Sequence, residues 1–202
     1  MKFHESLGIH AMQTSGMKPF ERLLVLGCGG AGKSTLAAGL GCLTGLPVLH
    51  LDRLFWLPGW EHRTRDEFDT LLADELAKPR WIIDGDYNRT LEERLKWCDA
   101  VVLLDYPGIV CAAGIVRRRL QHRGKTRASM TEGCNERLDP KFVRWVLDYR
   151  RKVRPGHMEL LRQASRREHP PQIFILKNRA QTRRWLRAAG GIINAEESSS
   201  QK

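Results

Sequence analysis

The apolar positions of this chain fall into short continuous runs separated by longer stretches of helical spacing. Five runs read as buried parallel strands, because they are uninterrupted rather than alternating. They are residues 22–27 (RLLVLG), 47–51 (PVLHL), 81–84 (WIID), 100–105 (AVVLLD) and 172–177 (QIFILK). Helical stretches follow the first four, at 33–43, 65–77, 90–97 and 110–122. Strands alternating with helices predict an α/β domain with a mostly parallel sheet. A further helix begins at Asp139, an N-cap residue followed by Pro140, and carries Phe142, Trp145, Val146 and Tyr149 at three- and four-residue steps. Before it, residues 124–135 (GKTRASMTEGCN) are polar and contain glycine, which fits a lid or an ordinary surface loop.

Composition narrows the class. A chain of 202 residues that is 42% hydrophobic suits one domain with a real core. The expected organisation is a flexible leader over 1–19, one domain over 20–190 and a disordered tail over 191–202, which ends in EESSSQK. Met17 stands just before the first strand and is a second candidate start. No run approaches the roughly 20 apolar residues of a membrane span. The five cysteines (Cys28, Cys42, Cys98, Cys111, Cys134) show neither a CxxC pair nor zinc spacing, which suggests reduced thiols in a cytoplasm.

The stretch GCGGAGKS, from Gly27 to Ser34, matches GxxxxGK[ST] at the end of a strand and the start of a helix. Gly27, Gly29, Gly30, Ala31 and Gly32 let the backbone curl with its N–H groups toward phosphate oxygens, and the helix N-terminus adds partial positive charge. Lys33 places a cation between the β- and γ-phosphates, Ser34 offers a hydroxyl to Mg²⁺, and Thr35 is a second hydroxyl nearer the α-phosphate. The pattern predicts a nucleoside triphosphate site. No guanine-reading NKxD is present, so the expected cofactors are ATP and Mg²⁺.

Ligands of such folds lie beyond the carboxyl ends of the strands. Those ends carry Asp52 and Arg53, then Asp84, Asp86 and Arg89, then Asp105, then Lys177, Asn178 and Arg179. A helix cap is an equal reading for Asp105. Charge is uneven as well. The formal net charge is +11, yet residues 115–187 hold 21 Lys+Arg against 6 Asp+Glu, net +15, while the remainder carries −4. A basic half of this kind suits nucleotide phosphates, nucleic acid or an acidic partner.

Taken together, the phosphate loop, the DG…RT segment (84–90) and the basic run 117–124 resemble nucleoside monophosphate kinases of the adenylate kinase type. A closer resemblance is to the bacterial "DNA topology modulation protein" family of P-loop kinase-like proteins. It rests on LDRLFWLPGW (51–60), WIIDGDYNRTLEERL (81–95), RRLQHRGKTRASMTEGCNER (118–137) and FVRWVLDYRRKVRP (142–155), and covers about 21–188. The resemblance implies a three-layer P-loop NTPase sandwich with a five-stranded parallel sheet, an acceptor segment over about 52–80 and a basic lid over about 122–140. It implies that Asp84 lies near the Mg²⁺ water shell and that Arg89 meets the acceptor, although one residue more separates DG from RT than in DGFPRT. Arg119 and Arg123 match an RxxxR pair gripping the triphosphate, and Arg144 matches a returning lid arginine; Arg144, Asp148 and Arg151 also fit a plain salt-bridged surface.

Within the acceptor segment, Asp52 fits a group that takes a proton from an attacking hydroxyl or orients it. Phe55, Trp56 and Trp60 fit a planar ligand or plain packing. The expected function is transfer of the γ-phosphate of Mg-ATP to a small-molecule or nucleotide acceptor. A nucleic-acid-binding NTPase or regulator of DNA topology, with 117–127 and 162–169 as phosphate contacts, is the alternative, and an ATP-binding switch is a third.

Overall fold

This computed structural model describes residues 9–10 and 17–200, and side chains from 17 to 191. The chain runs β1 (Ile9–His10), β2 (Arg22–Gly27), α1 (Lys33–Thr44), β3 (Val48–His50), α2 (Leu51–Phe55), β4 (Trp56–Leu57), β5 (Glu61–His62), α3 (Arg65–Leu76) and β6 (Trp81–Asp84). It continues through α4 (Leu91–Trp97), β7 (Ala100–Leu104), α5 (Gly108–Gln121), α6 (Pro140–Lys152), α7 (Arg154–Ala164), β8 (Gln172–Leu176) and α8 (Arg179–Ser200). The five strands expected from the apolar runs pair in parallel in the order β8-β7-β2-β6-β3, and β1 adds a sixth at the β8 edge. β4 and β5 form a separate antiparallel hairpin.

The two-residue period of β2 divides its side chains between two cores. Leu23 and Val25 join Val102, Phe174 and Trp185 on the face covered by α1, α6 and α8. Leu24 and Leu26 join Phe68, Leu72, Leu91, Leu95 and Leu161 on the face covered by α3, α4 and α7. β2 is therefore enclosed on both faces, which explains why its sequence is continuously apolar. Burying one such leucine contributes about 1.5–3 kcal/mol. The loop after β2 is anchored by a strand buried on both faces of the sheet.

Local signals set the helix ends. Thr64 and Glu67 form a reciprocal capping box at the start of α3. The Asp139 carboxylate accepts the Lys141 N–H at 2.8 Å and starts α6, as its sequence predicts. α7 has no counterpart among the expected helices; Pro155 in its first turn is a helix-start signal.

Residues 17–19 are not loose: Met17 and Phe20 are in the core, and Lys18 exchanges backbone bonds with the Gln172 amide at 2.7 and 2.9 Å. The rest of the expected leader, apart from Ile9–His10, lies outside the described residues. Over the expected tail α8 continues to Ser200, and the side chains after 191 and residues 201–202 lie outside the description. Among the described residues no helix is long and apolar enough to cross a membrane.

Candidate active site

One cleft of about 1120 Å³ opens beyond the carboxyl ends of β2, β3 and β6. Its floor is the loop between β2 and α1. Gly27, Gly30 and Gly32 there have φ of 133°, 80° and 98°, the left-handed region open mainly to glycine. Gly30 has a second constraint: a Cβ would sit 2.1 Å from the Cys111 carbonyl oxygen, and one on Gly114 would sit 2.1 Å from the Gly30 oxygen. The loop is thus pressed backbone to backbone against α5. α1 begins at Gly32 with no side-chain cap, so the N–H groups of its first turn remain available to an anion. Gly29 to Thr35 line the cleft, and Lys33 Nζ donates to the Cys28 carbonyl at 3.2 Å.

Beside this floor stands Asp84, at the end of β6 and 4% exposed. Oδ2 meets His50 Nδ1 at 2.9 Å, while Oδ1 is buried without a hydrogen-bond partner among the described residues. A buried, unpartnered carboxylate oxygen costs more than the usual 1–3 kcal/mol of a neutral group, about, unless a cation meets it. Asp84 and Ser34 both line the cleft, so this pair fits a hard, oxygen-seeking Mg²⁺ completed by phosphate oxygens and water.

Opposite the floor lies the segment 52–62. Asp52 Oδ1 accepts from the Tyr87 hydroxyl at 3.1 Å, and Oδ2 accepts from Arg127 at 2.7 Å. Burial, followed by the Asp52 charge, pushes the Tyr87 phenol far above its usual range, so it stays a donor. Phe55 packs against Phe68, His62 and Tyr87 and serves the core, whereas Trp56 and Trp60 border the cleft. Trp60 has φ of 66°, unusual for a bulky residue; its indole N–H donates to the Asn135 carbonyl at 3.2 Å, and Arg137 stacks on its ring at 4.5 Å.

The irregular stretch between α5 and α6 lies on the β4–β5 hairpin. The Thr131 hydroxyl donates to the Trp56 carbonyl at 2.6 Å, and the Cys134 thiol to the Leu57 carbonyl at 3.1 Å. Beneath it Glu136, 6% exposed, is approached by Arg118 at 2.9 Å and Arg127 at 3.4 Å. Desolvation, and then the neighbouring Arg127, lower the pKa of Arg118.

The cleft gathers Gly29, Gly30, Ala31, Gly32, Lys33, Ser34, Thr35, Asp52 and Asp84 of the expected residues. Gly27 lies just behind, donating its N–H to Asp86 at 3.1 Å. The expected arginines are elsewhere. Arg89 forms a two-bonded pair with Asp69 at 2.6 and 2.7 Å on the surface, consistent with the extra residue before it. Arg119 and Arg123 do not line the cleft; Arg117, Arg118, Gln121 and His122 do. Arg144 is exposed beside Asp148, which pairs with Arg151 and Lys152. Asp105 caps no helix: it holds Arg154 by two bonds of 2.8 Å.

Residues that sequence reasoning left out include Arg137 and Arg183, which stand in the cleft wall with Arg127 and with Arg179, one of the strand-end candidates. Arg94 is another. It is fully buried and donates to the carbonyls of Gly85, Asp86 and Tyr87, pinning the turn after β6. Burial brings its pKa down to about 10, which leaves it charged at neutral pH.

Solved structures share this architecture. A shikimate kinase from Acinetobacter baumannii in complex with shikimate matches with a TM-score of 0.52 at 18% identity, over 94% of this chain and all 100% of that one. A shikimate kinase from Bacteroides thetaiotaomicron matches with a TM-score of 0.51 at 15% identity, over 87% of this chain and 99% of that one. A gluconokinase from Sinorhizobium meliloti 1021 gives a TM-score of 0.48 at 17% identity, over 92% and 99%. No protein-family model and no curated protein matches the chain. The chain shares the fold of these two shikimate kinases, a parallel α/β sandwich.

Proposed function

We propose that the chain is an ATP-dependent phosphotransferase that moves the γ-phosphate of Mg-ATP to a hydroxyl of a small molecule. One observation carries this reading. The glycine loop with its uncapped helix and the unpartnered oxygen of Asp84 face, within one cleft, the carboxylate of Asp52.

Each residue then has a task. The loop N–H groups and Lys33 hold the β- and γ-phosphates. Ser34 and Asp84 hold Mg²⁺, which, when bound, neutralises the charge that spreads over the transferred group. Asp52 points its remaining lone pairs at the acceptor hydroxyl. The bonds from Arg127 and Tyr87 fix its orientation, so it aligns the hydroxyl and receives its proton as transfer completes. Segment 122–140 covers the reacting groups and excludes water, which otherwise hydrolyses ATP. Trp56 and Trp60 wall the acceptor side.

The basic excess of the C-terminal half supports a small anionic ligand over a nucleic acid. Arg117, Arg118, Arg127, Arg137, Arg179 and Arg183 all converge on the cleft. The likeness in sequence to the DNA topology modulation proteins belongs to the same proposal, as kinase-like proteins without an assigned acceptor.

The experiment is transfer from γ-labelled ATP with Mg²⁺ to a panel of hydroxyl metabolites, nucleosides and nucleoside monophosphates, beside a no-acceptor control. Labelled product from one class supports the proposal, with Lys33→Ala lowering it by at least about 100-fold at an unchanged melting temperature. Free phosphate alone, stimulated by added DNA, replaces it with the nucleic-acid reading.

A further inference from the structure

Asp84 is not alone in presenting an unsatisfied oxygen. Asp86 Oδ2 is also buried and without a hydrogen-bond partner among the described residues, and Asp86 lines the same cleft as Ser34 and Asp84. Gly85 separates the two. Its φ of 147° suits glycine, and a Cβ there would meet the Leu51 Cβ at 2.8 Å. The turn therefore brings both carboxylates to the cleft, and Arg94 fixes it through the carbonyls of Gly85, Asp86 and Tyr87.

The orientation of Asp86 is set by its other oxygen. Oδ1 accepts the Gly27 N–H at 3.1 Å and the Tyr149 hydroxyl at 3.3 Å. Tyr149 also lies 3.0 Å from His157 Nδ1, and His157 Nε2 meets the Asn88 side-chain oxygen. Stapling the loop thus occupies one oxygen, a task that an asparagine would perform equally well. The charge of Asp86 also acts on the fully buried Arg94, raising its pKa against burial, and Oδ2 is left without a partner on a residue of the cleft lining.

We propose that Asp86 is a second metal-facing carboxylate, sharing with Asp84 and Ser34 the divalent cation that accompanies the nucleotide. Tyr149 and His157 are its positioning residues. This rests on the phosphotransferase reading of the same cleft. Two carboxylates plus phosphate oxygens are a usual Mg²⁺ environment, with contact at about 2.1 Å or through one water.

The test uses Mn²⁺ and ADP with the full chain, by calorimetry. ADP is titrated with and without Mn²⁺ into wild type, Asp86→Asn and Asp84→Asn, and each protein is melted. The metal-free ADP affinity and melting temperature of each protein are the baseline against which its metal effect is read. The expected result is that Asp86→Asn loses about 10–100-fold of the tightening that Mn²⁺ gives the wild type. Equal tightening in Asp86→Asn and wild type overturns the assignment and leaves the kinase reading intact. Wild type that binds no ADP overturns both. If Asp86→Asn does not fold, a structure of the wild type with Mn²⁺ and ADP decides. Anomalous density for the metal within direct or one-water reach of Asp86 Oδ2 supports the proposal, and a metal held by Asp84 away from Asp86 overturns it.

Discussion

Arg127 places a guanidinium nitrogen 2.7 Å from Asp52 Oδ2, joining two segments 75 residues apart in the chain. The pair ties the stretch between α5 and α6 to segment 52–62, and the second attachment of Arg127, to Glu136, extends the link to Arg118 on α5. Asp52→Asn is expected to slow transfer by about 100-fold or more while leaving ATP affinity little changed. Arg127→Ala is expected to raise the acceptor KM and the share of ATP lost to water. Stopped assays that count free and transferred phosphate measure both; an unchanged ratio in Arg127→Ala removes the cover from the mechanism.

The arginines of α5 divide by face. Arg118→Ala leaves the buried Glu136 carboxylate with less compensation and is expected to cost stability by about 3 kcal/mol as well as rate. Arg119→Ala, Arg123→Ala and Arg144→Ala lie outside the cleft and are expected to stay within about 0.5 kcal/mol of wild type. Urea melts beside kcat/KM for the four variants check this. A strong rate loss confined to Arg119→Ala would return the grip on the triphosphate to that residue.

Gly114 is expected to tolerate no side chain. Gly114→Ala drives a methyl to 2.1 Å from the Gly30 oxygen, and backbone has little room to yield. The expected cost is about 1–3 kcal/mol, with a loss of ADP affinity because the phosphate loop moves. Calorimetry with ADP reads the loss; wild-type affinity at wild-type stability shows that α5 gives way instead.

His157 supplies a pH dependence. Burial lowers its pKa below the usual value, partly offset by Asp86, while Arg94 and Lys33 press in the same direction as burial. Tyr149 and Asn88 are its direct partners. The unfolded chain therefore takes up this proton at a higher pH than the native one. The contribution of neutral His157 is complete above about pH 6.5, the unfolded value. It is lost as the pH falls toward the depressed native value. Wild type is expected to lose melting temperature over this range more steeply than His157→Gln; parallel curves exclude His157 as the source.

Much of this was legible because the signals were local. The strand RLLVLG, the loop GCGGAGKS and the Asp139-Pro140 helix start each lie within a few residues, and each has one stable outcome. The arginine register needed more. Cys111, Ile115 and Arg118 turn inward on α5, so Gly114, Arg117, Gln121 and His122 border the cleft. The helical period running through Cys111 and Ile115 contained that information, whereas the RxxxR spacing pointed to Arg119 and Arg123. Partners distant in sequence left no mark: nothing local pairs Asp69 with Arg89, Asp105 with Arg154, or Glu136 with Arg118. The strands β4 and β5 have two residues each, too few for a period to show.

Trp56, Trp60 and Trp145 border the cleft, while Trp81 and Trp185 are sealed in the two cores and Trp97 stands on the surface. The protein therefore carries an optical gauge of that cleft. Nucleotide or acceptor that repacks the cleft changes the polarity around three indoles and leaves the core pair in constant surroundings. A shift in emission on adding ligand reads movement of the hairpin against its cover, without any label, and Trp60→Phe should remove the portion that belongs to the contacts with Asn135 and Arg137.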